Sequence, residues 1–172
     1  MSDARGLSAT EWQDLYRRLE KPLYNFAFRY VWSAQDAEDV VHDAFLQIWE
    51  RREHTLVATA DRYIWVTALN RCRKLRRWAR LKCFVQIEDS LHEVPAAENV
   101  ETEAAHREEE VGLRAAIERL PERLRAVLLL AEFSDMSYEA IAQLLSIPAG
   151  TVASRRHLAV KQLREWIRST DR

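Results

Sequence analysis

The chain has 172 residues, with 26 Lys and Arg against 27 Asp and Glu, and its net charge of -1 taken alone argues against a nucleic-acid partner. Only 3 Gly and 4 Pro leave little turn chemistry, so an all-α protein with long helices is expected, as one ordinary domain or two small ones. The N-terminal residues lack an apolar signal segment and no apolar run approaches the ~20 residues of a membrane helix, so the expectation is a cytoplasmic or nuclear protein without membrane insertion.

Ser8, with Glu11 three residues on, is a capping-box signature for a first helix. Its apolar stripe runs Trp12, Leu15, Tyr16, Leu19, Leu23, Phe26, Ala27 and Tyr30, and Pro22 inside that run predicts a kink or a fresh start, with the stripe surviving across it. Ser33 and Asp36 cap a second helix with the cleanest periodicity in the chain: Ala37, Val40, Val41, Ala44, Phe45, Ile48 and Trp49. Its other side holds Asp36, Asp39, His42, Asp43 and Gln47, with no Lys or Arg before Glu50. That face is either solvated or a docking surface for a basic partner.

Arg51 to Ala60 reads as irregular, and Asp61 as the N-cap of a third helix whose inward stripe is Trp65, Ala68, Leu69, Cys72 and Leu75. From Arg62 to Lys82 there are eight basic residues and no acid, a charge of +8. From Gln86 to Glu110 nine acids stand against Arg107 alone, a charge of -8. The near-zero total is therefore a cancellation between segments, and the basic one can still meet phosphate. Tyr63, Asn70, Arg71, Arg73, Lys74 and Arg77 mix aromatic, amide and cationic groups, the mixture that single-stranded nucleic acid requires.

The acidic stretch, with Pro95 and no sustained apolar period, predicts a flexible linker over residues 85–108, between a first domain (1–84) and a second (109–172). The second domain opens with a helix through Val111, Leu113, Ala116, Ile117 and Leu120. Pro121 starts the next, with Leu124, Val127, Leu128 and Ala131 at helical spacing. Asp135 or Ser137 then caps a short helix with Ile141, Ala142, Leu144 and Leu145 on one face, and Ser146-Ile147-Pro148 breaks it. A final helix buries Val152, Ala159, Leu163 and Trp166 and presents Thr151, Ser154, Arg155, Arg156, His157 and Lys161. Two short helices with a tight turn, the second basic, form a helix-turn-helix pattern.

Cys72 and Cys83 have no CxxC spacing and no paired histidines, so neither a metal site nor a disulfide framework is expected. The five histidines fall in separate elements and there is no Gly-rich phosphate loop, so the chain is not expected to be an enzyme or to carry a cofactor.

DAEDVVHDAFLQIW (Asp36 to Trp49) and LPERLRAVLLLAEFSDMSYEAIAQLLSIPAGTVASR (Leu120 to Arg155), with a basic aromatic helix after the first, together resemble a bacterial sigma factor of the extracytoplasmic-function type, group IV. The resemblance covers about Leu15 to Leu163 and implies two helical domains, sigma regions 2 and 4, in a cytoplasmic promoter-specificity subunit. It implies that Asp36, Asp39, His42, Asp43 and Gln47 dock on the β′ subunit of core RNA polymerase, with β as a further contact. Tyr63, Asn70, Arg71, Arg73, Lys74 and Arg77 would read and hold a melted minus-ten element. Thr151, Ser154, Arg155, Arg156, His157 and Lys161 would meet the minus-thirty-five element, and an anti-sigma factor is implied as a partner. The rival reading is a conventional helix-turn-helix regulator acting without polymerase, which leaves the acidic second helix and basic third helix unexplained.

Overall fold

Helix α1 of the computed structural model, which describes residues 6–85 and 102–170, runs Ala9–Val31 and begins at the expected capping box. The Ser8 N–H donates to the Glu11 carboxylate at 2.9 Å while the Glu11 N–H donates to Ser8 Oγ at 3.2 Å. Pro22 neither breaks nor restarts the helix. The apolar stripe continues across it, so packing of Leu19, Leu23 and Phe26 outweighs the lost backbone bond. Trp32 ends α1 in the left-handed conformation, its N–H donating to the Phe28 carbonyl.

Helix α2 (Ala34–Glu50) starts at Ser33, whose Oγ accepts the Asp36 N–H. It buries the predicted stripe from Ala37 to Ile48, with Trp49 half-buried. A 3-10 turn at Arg52–His54 leads into α3, which spans Val57–Val85. The start of α3 corrects the expected cap: the helix begins four residues before Asp61, because Val57 to Ala60 contains no helix breaker and the Leu56 carbonyl accepts the Thr59 N–H. Asp61 instead receives a bidentate pair from Arg18 of α1, both contacts at 2.7 Å. The chain before α1 is stitched to the same turn. Leu7 N–H donates to the Arg52 carbonyl at 2.7 Å, and a Cβ on Gly6 would lie 2.4 Å from the Glu53 oxygen, so only glycine fits there.

Helices α4 (Thr102–Arg119), α5 (Glu122–Phe133), α6 (Tyr138–Leu145) and α7 (Ala149–Thr170) form the second lobe. Helix α4 begins within the stretch expected to be linker, whose central part, 86–101, lies outside the described residues. Ser137, not Asp135, caps α6, and Ser146 closes it in the left-handed region, with the Ile147 N–H returning to the Ala142 carbonyl. Pro148 then supplies the carbonyl for the first turn of α7.

Every α5 residue from Leu124 to Leu130 is buried, Arg125 included. The sequence pattern assigns this helix one apolar face, but a helix apolar all round must be covered all round. One side, with Leu124 and Leu128, joins Leu120 of the preceding turn and Ala159 of α7. The other, with Ala126, Val127, Leu129 and Leu130, belongs to one continuous core with α1, α2, α3 and α6. The two lobes thus pack together along the α1–α5 contact.

Arg125 is only 2% exposed, and its guanidinium closes the end of α4. Nε donates to the Ile117 carbonyl at 3.0 Å, and Nη2 to the carbonyls of Glu118 and Leu120 at 2.7 Å each. Burial first, then the nearby Arg76 charge, pulls its pKa down to about 10, which still leaves it cationic at neutral pH. A buried ion is often replaceable by an apolar side chain of equal volume, but here the partners are main-chain carbonyls that no substitution removes. Arg125→Met should therefore lower the unfolding free energy by about 3 kcal/mol, read from urea denaturation; a loss below ~1 kcal/mol would show that water caps α4 equally well.

Candidate polymerase and nucleic-acid interfaces

The acidic side of α2 opens to solvent as its periodicity requires. Asp39, His42 and Gln47 are exposed, and Asp36 is half-buried. Asp43 is tied inward: its Oδ2 lies 3.1 Å from Arg71 Nε, an ion pair in which that N–H is not aimed at the oxygen. Leu46, 42% exposed, sits on the same face among these polar groups, outside the polar set expected there. Its signal was available, a large apolar residue at an outward helical position. Beside His42 a cleft of about 400 Å³ opens between α1 and α2, lined by Tyr16, Glu20, Lys21, Tyr24, Glu38 and Val41.

Helix α3 turns a mixed stripe outward: Tyr63 half-buried, Asn70, Lys74 and Arg77 exposed. The basic run does not form one surface. Arg71 faces α2 through Asp43, Arg76 donates to the Tyr30 carbonyl at 3.1 Å, and Arg62 donates to the Gln143 carbonyl of α6 at 3.0 Å. Arg73 Nε donates to Glu122 Oε1 of α5 at 2.6 Å, and the same oxygen accepts the Tyr30 hydroxyl at 2.9 Å. Burial, and then the Glu122 charge, raise the pKa of Tyr30 well above its ordinary value, so it stays a neutral donor. Asn70, Arg73, Lys74, Arg77, Arg80, Leu81 and Glu122 line a cleft of about 570 Å³ at the seam between the lobes. Arg80 belongs to the basic run read from the sequence, whereas Trp78 and Leu81, 53% and 51% exposed at the far end of α3, carry no signal in that pattern. An exposed tryptophan beside cations offers a stacking surface for a base.

Cys72 is fully buried, and burial pushes its thiol pKa far up, so it cannot act as a thiolate. The side chain of Cys83 lies outside the described residues. Among the described residues no group of three or more His, Cys, Asp or Glu is placed to hold a metal, and no helix is long and apolar enough to cross a membrane.

On α7, Ser154, His157 and Lys161 are exposed along one outward stripe, with Thr151 and Arg155 half-buried on its flank. Ser154 Oγ donates to the Thr151 carbonyl at 3.1 Å. Arg156 lies on the opposite flank, where Glu132 at the end of α5 receives its Nε at 3.2 Å and its Nη2 at 2.7 Å. Arg156, which the sequence groups with the other five, thus sits at the seam between α5 and α7.

Both lobes have counterparts among known proteins. Residues 15–82 match the family described as Sigma-70 region 2, and residues 111–163 match Sigma-70, region 4. The ECF RNA polymerase sigma factor SigL of Mycobacterium tuberculosis is 30% identical over 166 residues, covering 95% of this chain and 93% of that protein. The RNA polymerase sigma-H factor of Pseudomonas aeruginosa is 30% identical over 151 residues, 82% of this chain and 78% of that one. The ECF sigma factor SigE of Mycolicibacterium smegmatis is 29% identical over 96% of this chain, which spans 65% of the length of that relative. Two solved structures share the fold. CnrH in complex with the cytosolic domain of CnrY has a TM-score of 0.69 at 19% identity, over 92% of this chain and 88% of CnrH. RpoE of Bartonella quintana, in complex with the anti-sigma factor NepR, has a TM-score of 0.65 at 20% identity, over 91% and 98% of the two chains. With region 2 on the first helical lobe, region 4 on the second, and a 30% identical relative matched over 95% of this chain and 93% of its own length, the chain belongs to the sigma-70 family of RNA polymerase sigma factors.

Proposed function

We propose that this chain is a dissociable sigma subunit of the extracytoplasmic-function type, group IV, that docks on core RNA polymerase through α2 and reads a promoter at two separated elements. The observation that carries this reading is the segregation of charge on one chain: an acidic, solvent-facing side of α2 with Asp39, His42 and Gln47, and a cationic cleft on α3 with Lys74, Arg77 and Arg80. A cationic helical surface of the polymerase β′ subunit is the partner that α2 fits, with Leu46 supplying an apolar centre and the acids a polar rim. The α3 stripe suits a single strand, in which phosphates meet Lys74, Arg77 and Arg80 while Tyr63 and Trp78 offer ring faces to unstacked bases. Unpairing costs a few kcal/mol, which stacking at roughly 1 to 3 kcal/mol per base offsets. The α7 stripe Ser154, His157 and Lys161 suits base edges and phosphates of the duplex major groove, with Thr151 and Arg155 at the helix start on adjacent phosphates. The β subunit is a further contact within core polymerase in this reading. An anti-sigma factor is the inhibitory partner it implies, as the two structural neighbours are each held by a partner chain.

Asp39→Lys should weaken association with core polymerase about tenfold at moderate salt, with the thermal midpoint unchanged, because Asp39 is exposed and Asp43 already serves Arg71. Titration of fluorescent chain with core measures this, and an unaltered affinity removes α2 as the docking surface. Replacing Lys74, Arg77 and Arg80 together with alanine should leave core binding intact and abolish strand opening, seen as lost permanganate reactivity of promoter thymines. Each phosphate contact removed should flatten the salt dependence of single-strand binding by about 0.7 in the log–log slope; a normal slope and normal opening would contradict the assignment of α3.

A further inference from the structure

The seam between the lobes holds a carboxylate where the sigma-factor reading, on which this inference rests, places DNA. Glu122 Oε1 receives Arg73 Nε at 2.6 Å and the Tyr30 hydroxyl at 2.9 Å. It forms part of the lining of the α3 cleft of about 570 Å³, whose other charged groups, Arg73, Lys74, Arg77 and Arg80, are all cations. Carboxylate and phosphate present the same acceptor oxygens to a guanidinium, so the two compete for one donor. The ion pair is too exposed, at 38% and 41%, to matter much for holding the lobes together. That role falls to the apolar α1–α5 contact. What Glu122 decides is which anion sits on Arg73. A second tie, Arg62 to the Gln143 carbonyl, takes another α3 cation out of the basic run. The α7 stripe is different: Ser154, His157 and Lys161 remain exposed.

We propose that Glu122 is a built-in competitor for the promoter strand: it occupies Arg73 in the free chain and withholds that one cation from the single-strand reader, while Lys74, Arg77 and Arg80 and the duplex reader stay open. A phosphate of the minus-ten strand would replace the carboxylate on Arg73 as the complex forms. No covalent step is involved, only exchange of one anion for another.

A substitution cycle on the full-length chain tests this, with a fluorescein-labelled single-stranded 12-mer of mixed sequence at low salt and anisotropy as the readout. Glu122→Gln keeps the shape and an acceptor for Tyr30 but removes the charge. It should tighten binding about fivefold, the size expected for releasing one half-exposed ion pair. Combined with Arg73→Gln, the same change should bring no gain, because no competition is left to relieve. An equal gain in both backgrounds would show that only the overall charge matters and would overturn the proposal, as would no gain in either. Core binding by Glu122→Gln is scored separately. Failure of both this variant and the unaltered chain to bind core would sink the sigma-factor reading, whereas normal core binding with an empty cycle sinks only the competitor.

Discussion

Helix α5 has no solvent side between Leu124 and Leu130, and the placement of everything around it follows. Seven consecutive buried positions require a wall on each flank, and at roughly 1.5 to 3 kcal/mol for each large aliphatic side chain taken out of water the requirement is strong. Helix α7 covers one flank through Ala159, and α1 covers another. Burying Arg125 is the cost of that arrangement, offset by its hydrogen bonds to the carbonyls of Ile117, Glu118 and Leu120 around the end of α4. Because Glu122 is the first residue of the same helix, docking α5 on α1 also delivers a carboxylate to the basic helix of the other lobe.

This geometry divides the basic run of α3 into two kinds of cation. Arg62, Arg71, Arg73 and Arg76 each hold a partner within the chain, namely Gln143, Asp43, Glu122 and the end of α1. Lys74, Arg77 and Arg80 share the seam cleft, and none of them forms an ion pair among the described residues. A net charge near zero thus coexists with a concentrated positive patch, which is smaller than the sequence count suggests. The acids of α2 divide in the same way, with Asp43 drawn inward and Asp39 left free to meet a partner.

Features set by local chemistry were legible from residues alone. The capping box at Ser8, the cap at Ser33, the apolar stripes of α1 and α2 and the helix-turn-helix all rest on interactions within a few residues. Misreadings arose where distant packing decides. Pro22 and Asp61 carry signals that normally break or begin a helix, yet Leu19, Leu23 and Phe26 hold one helix through the proline, and Arg18 claims the aspartate. Arg73 and Glu122 are separated by 49 positions, and no spacing rule joins them. Arg156 and Glu132, 24 positions apart, are a second pair that no spacing rule joins. The signal that was present and unread is the all-round apolar character of RAVLLLA, which predicts a helix covered on every side and hence two lobes in contact.

In the proposed reading one chain supplies core polymerase with two readers set on two lobes. Core-dependent run-off transcription over a promoter library tests it most directly, with start sites mapped from the transcripts. The expected result is initiation only when chain and core are both present, at sites sharing two separated sequence elements. Tight binding to a palindromic duplex with no core-dependent initiation would contradict it.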